Sequence, residues 1–166
     1  MQAGILFCSA RRTSVCQKLL SRTFGWFGLR VEEVRACASA DRINGGMAAL
    51  LKNDAAVCLL CPSAGGRPDC AAPLFATLKI PLDRGGEPRG VLRLRGRKVT
   101  GYLIESSEQA ILLLPDDPCE LLEMLPAACA RLKEKFGLEG EIPTREVPDL
   151  EALVTESFDR GEAEAL

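Results

Sequence analysis

Histidine is absent from all 166 residues, and with it every Ser-His or Cys-His catalytic pair and every histidine-ligated metal site. An excess of basic residues is also missing. Lys and Arg number 21 against 23 Asp and Glu, a net charge of −2, which argues against a protein devoted to nucleic acid. No apolar run approaches the ~20 residues of a membrane span. The opening stretch MQAGILFCSARR has no basic segment ahead of its short apolar run, so it does not read as a secretory signal. Internal repeats and low-complexity tracts are lacking. These absences lead us to expect a cytoplasmic protein with neither nucleic acid nor membrane as partner.

What is present is an ordinary soluble composition, 47% apolar and 27% charged, in a chain long enough for one α/β domain with a real core and short for two. AGILFCS (3–9) and DAAVCLLC (54–61) are nearly continuous apolar runs, as expected for the middle of a parallel sheet. LRVEEVRAC (29–37) alternates and reads as a further strand. Thr13 or Ser14 can cap a helix running to about Phe27, closed by Gly25 and Gly28, and Asp41 can cap another through Leu51. Strand, helix, strand, helix, strand in about 60 residues is two right-handed crossovers. Residues 70–79 suggest a short helix, and 82–105 suggest two antiparallel strands turning at Gly96-Arg97-Lys98. QAILLL (109–114) restores a buried strand before a long helix over 118–136. Its Leu121, Leu125, Ala128 and Leu132 share one face, and Gly137 follows as the C′ residue. The expected fold is thus a three-layer α/β/α domain over residues 1–140, with a mostly parallel sheet and a small antiparallel insertion. A C-terminal extension over 141–166 carries one short helix beginning at Pro148 or Asp149.

Eight cysteines are present. Cys58-Leu-Leu-Cys61 spells C-x-x-C but lies in a strand, where residues three apart point to opposite faces. The eight therefore read as small buried thiols in a reducing compartment, and no zinc is expected.

Two loops could carry chemistry. CPSAGGRPDC (61–70) follows a central strand and precedes a helix, though it has neither the G-x-G-x-x-G nor the G-x-x-x-x-G-K-[ST] spacing. Ser63, Gly65 and Gly66 could form an anion cradle, Arg67 could hold a phosphate, and Asp69 could hold Mg²⁺; a plain tight turn explains the glycines as well. LPDDPCELLEML (114–125) is the second. Asp116, Asp117 and Glu120 could share a cation or bind a ribose. Alternatively, Asp117 caps the helix, Pro118 sits at N1 and Glu120 is the capping-box acid at N3. Arg93, Arg95 and Arg97 read as one strand face, either solvated or a lip toward phosphate.

In this order the pieces resemble the molybdopterin-binding domain of the molybdenum-cofactor biosynthesis type, most closely the N-terminal domain of the competence-damage-inducible protein family. That family carries T-G-G-L-G-P-T-x-D-D after its third strand and L-P-G-x-P-x-E before a long helix. Here CPSAGGRPDC and LPDDPCELLEML stand in those places. Leu114, Pro115, Pro118 and Glu120 fall on the second pattern, and Gly65 and Asp69 on the first. The likeness spans about residues 3–138. It implies a pocket for a phosphate-bearing pterin or nucleotide, with Asp69 holding Mg²⁺, nucleotidyl transfer or pyrophosphate hydrolysis as the reaction, and a homodimer or homotrimer. The departures are Pro62-Ser63 for the double glycine, Cys70 for the second aspartate, Asp116 for the glycine, and no early G-D-E-[IL]. They lead us to expect reduced or lost activity, or an inactive domain kept for assembly or partner binding.

Overall fold

The computed structural model describes residues 1–141, 151–152 and 154–155. The chain runs β1 (Gln2–Cys8), α1 (Thr13–Gly25), β2 (Arg30–Cys37), α2 (Ile43–Leu51), β3 (Ala56–Cys61), a small hairpin of β4 (Ser63–Ala64) and β5 (Arg67–Pro68), α3 (Ala71–Thr77), β6 (Leu92–Arg95), β7 (Thr100–Glu105), β8 (Ala110–Pro115) and α4 (Pro118–Phe136). Six strands form one sheet in the order β2-β1-β3-β8-β7-β6. The first four are mutually parallel, and β7 and β6 extend the sheet antiparallel. The three apolar runs sit at its centre, as their two-sided hydrophobicity demands: every residue of β3 and β8 is buried.

Each face of the sheet has its own core. Leu19, Leu20 and Phe24 of α1 join Leu121, Leu125 and Leu132 of α4 over Ile5, Cys58 and Leu112. On the other face Met47 and Leu50 of α2 and Leu74 and Phe75 of α3 cover Leu6, Leu59 and Leu113. Cys58 and Cys61 therefore do face opposite ways, and all eight cysteines are free thiols. No helix among the described residues is long and apolar enough to cross a membrane. Of the expected terminal helix, residues 151–152 and 154–155 are described and helical, with Val154 buried in the α1/α4 core; the remainder lies outside the described residues.

The helix ends divide between expectation and correction. Asp117 caps α4 as expected, its Oδ1 accepting the Cys119 N–H at 2.9 Å, and Gly137 closes the helix in the left-handed region at φ 61°. Asp117→Ala should cost about 1 kcal/mol, the usual loss of such a cap, read as a lower urea midpoint. The other two caps are not formed. Arg12 holds the N-cap position of α1 and makes no side-chain capping bond to the helix end, so neither Thr13 nor Ser14 serves. Asp41 lies within a 3₁₀ turn, Ala40–Arg42, that leads into α2.

At the opposite end of the sheet Asp54 is buried, and its Oδ2 has no hydrogen-bond partner among the described residues. Burial, and then the charges of Glu33 and Glu32, raise its pKa above the ordinary 3.8. The folded protein thus holds this proton more tightly than the unfolded chain. The resulting stabilisation is complete below 3.8 and is lost as pH rises through the folded-state value. Asp54→Asn should accordingly unfold at higher urea than the parent at neutral pH, with the gap closing in acid.

Candidate functional site

β1 and β3 are neighbours, and the chain leaves their carboxyl ends toward opposite faces of the sheet, from β1 into α1 and from β3 toward α3. Such a switch point leaves a crevice beyond the carboxyl ends of the strands. A cavity of about 310 Å³ opens there. Arg11 and Arg12 enter it after β1, Pro62 and Ser63 after β3, and Asp116 and Asp117 after β8. Lys98 and Val99, from the β6–β7 turn, close it together with Glu120.

Its three acids all have backbone partners. Asp116 Oδ2 accepts the Arg11 N–H at 2.8 Å. Asp117 caps α4 through Oδ1 and stands 4.0 Å from the Arg12 guanidinium through Oδ2. Glu120 is buried, and its carboxylate accepts the Lys98 N–H at 3.0 and 3.2 Å and the Val99 N–H at 3.2 Å. The capping-box expectation for Glu120 is therefore corrected: its acceptors serve a turn 22 residues upstream rather than its own helix end. Gly96 makes this possible, because a Cβ there would overlap the Glu120 carboxylate, the Val99 carbonyl and the Met124 methyl.

The loop after β3 divides its residues among different places. Gly65 and Gly66, at φ 63° and 79°, form the two-residue turn of the β4–β5 hairpin, the left-handed pair that such hairpins require. Both lie at the exposed tip and outside the cavity wall. The Gly66 carbonyl accepts the Thr100 N–H at 2.9 Å. Arg67 donates to the Gly86 carbonyl at 3.3 Å, away from the cavity. Only Ser63 of the expected cradle reaches the cavity. Asp69 lies elsewhere again, accepting from the Cys70 thiol at 3.3 Å.

Arg97 falls in the β6–β7 turn rather than on the strand face of Arg93 and Arg95. It pairs with Glu123 of α4 at 3.1 Å, a contact that raises its pKa. Arg93 pairs with Glu87 at 3.5 Å. Sequence reasoning missed Arg11 and Arg12 as site residues. Their signal was position alone, directly after the first central strand.

The fit to Mg²⁺ can be judged from the donors. Among the described residues one set of three metal-ligating atoms lies within 4.8 Å of one another, from Cys61, Asp69 and Cys70. Two thiols and a carboxylate suit a soft cation and fit Mg²⁺ poorly. Asp116, Asp117 and Glu120 form no such set.

No protein-family model matches the sequence, and no curated protein matches it. Solved structures do. CinA, a protein of unknown function from Thermoplasma acidophilum, aligns with a TM-score of 0.62 at 11% identity, covering 81% of this chain and 97% of its own. A candidate molybdenum cofactor biosynthesis protein from Corynebacterium diphtheriae gives 0.59 at 13% identity, covering 82% and 96%. MogA gives 0.54 at 15% identity, covering 82% and 98%. The chain has the α/β fold of these three structures, in a strongly divergent sequence.

Proposed function

We propose that the switch-point cavity takes the phosphate of a pterin or nucleotide through Arg11, Arg12 and Ser63, and that the nucleotidyl-transfer or pyrophosphate chemistry implied by the resemblance has been lost. The observation that carries this reading is the engagement of all three cavity carboxylates by backbone N–H groups. Each acid holds the fold together at that point, which leaves Mg²⁺ to be carried, if at all, by the ligand's own phosphates. The guanidinium groups supply the charge that a phosphate needs. Pro62 lines the cavity with no N–H to offer it, so binding is weak. Free thiols throughout suit a reducing, cytoplasmic setting.

A thermal-shift panel of AMP, ATP, ADP-ribose and molybdopterin, each with and without Mg²⁺, tests the reading. We expect small, Mg²⁺-independent rises in Tm that vanish in Arg12→Ala. The same engaged acids also favour a second reading, a domain retained for homo-oligomeric assembly. No shift with any ligand, together with a stable dimer or trimer in sedimentation, would select it over phosphate binding.

A further inference from the structure

Four cysteines far apart in sequence meet on the α2/α3 side of the sheet. Cys8, Cys37 and Cys61 are the last residues of three adjacent parallel strands, and Cys70 immediately precedes α3. Cys8 and Cys37 are register partners, and Phe7 pairs with Leu60, so Cys61 follows on the other side of Cys8. The Cys61 and Cys70 sulfurs and an Asp69 carboxylate oxygen all lie within 4.8 Å of one another, and the Cys8 thiol sits near those of Cys37 and Cys70. Cys70 also donates to Asp69 at 3.3 Å. Cys8, Cys61 and Cys70 are buried, whereas Asp69 is exposed and gives the group a side open to solvent.

A core position needs only a small apolar side chain, and that accounts for Cys58, isolated on the other face. It does not account for thiols from three strands and a loop placed against one another with a carboxylate alongside. We propose that Cys61, Cys70 and Asp69, with a fourth position open to solvent, form a binding site for a thiophilic divalent cation of the Zn²⁺ kind. Two sulfurs and one oxygen leave one tetrahedral position open, as where three protein ligands and a water hold zinc, and thiolates select such an ion over Mg²⁺. Burial and the neighbouring thiols push the Cys8 pKa up to about 12, and Cys70 is raised as well. Without a cation the Cys70 thiol therefore stays protonated. A bound metal supplies the missing positive charge, and each ligating thiol releases its proton on binding. The expectation of no zinc rested on the absence of histidine and on Cys58 and Cys61 pointing apart. They do, but the partner of Cys61 is Cys70.

The test uses the full chain, reduced and oxygen-free, titrated with Co²⁺ as the probe and then with Zn²⁺. We expect one equivalent of Co²⁺ to give a thiolate charge-transfer band with tetrahedral d–d absorption, and Zn²⁺ to displace it. Cys58→Ser, on the opposite face, should keep the spectrum. Cys70→Ser, which removes one of the two thiolates, should weaken binding and reduce the charge-transfer band. Asp69→Asn, at an exposed position that leaves the core intact, should weaken binding at least about tenfold, since even residues behind metal ligands have effects of that size. Absence of the band in the parent protein would overturn the proposal. So would a band whose affinity Asp69→Asn leaves unchanged, whether or not Cys70→Ser folds.

Discussion

Replacing Glu120 by Ala is expected to destabilise the protein by about 3 kcal/mol, because a buried charged acceptor is removed from two backbone donors at once. The Lys98 and Val99 N–H groups would lose a partner at 3.0–3.2 Å. The β6–β7 turn would also come loose from the first turn of α4, where it closes the cavity. Urea unfolding should show a lower midpoint with an unchanged slope. Glu120→Gln keeps an acceptor and should fall between the two. An effect of Glu120→Ala within the range of an ordinary surface change would mean that the carboxylate is held for a ligand instead.

Phe75→Ala is expected to cost about 4 kcal/mol, in the range found for emptying a buried aromatic position. Phe75 is fully buried, and its ring meets Tyr102 edge-on, with centroids 5.1 Å apart and planes at 85°. At seven residues α3 is too short to hold its shape without docking, so loss of the ring should release the whole segment. Cys70 immediately precedes this helix. Its thiol and that of Cys61 should therefore react faster with a disulfide reagent in Phe75→Ala, while Cys58 should be unaffected. Phe75→Leu keeps apolar bulk without the ring contact and should lie between parent and alanine variant.

How much of this could be read from the chain depends on how local each signal is. Continuous apolar runs at 5–7, 57–60 and 111–114 announce strands covered on both faces, and these are β1, β3 and β8 at the sheet centre. Asp117-Pro118 at one end of α4 and Gly137 at the other are complete within a few residues, and they stand where the grammar puts them. Glu120 satisfies the same grammar but has its partners across the fold, because the turn at Gly96 is brought over the helix by sheet pairing. Gly65-Gly66 suits either an anion cradle or a hairpin turn by composition alone. The pairing of Ser63 with Pro68 and of Ala64 with Arg67 decides for the hairpin. The thiol group was legible only as a count of cysteines, since parallel register places Cys8 beside Cys37 across 29 residues. Arg11 and Arg12 became site residues once β1 was known to border the switch point.

The proposed function has the carboxylates of the switch-point cavity hold the structure and perform no metal-dependent chemistry. The most direct measurement is hydrolysis of ADP-ribose by the full chain with Mg²⁺, followed beside a no-enzyme control, with Asp69→Ala and Asp116→Ala run in parallel. We predict rates equal to the control for all three proteins. Mg²⁺-dependent turnover by the parent chain, abolished in either variant while its fold is intact, would contradict the account.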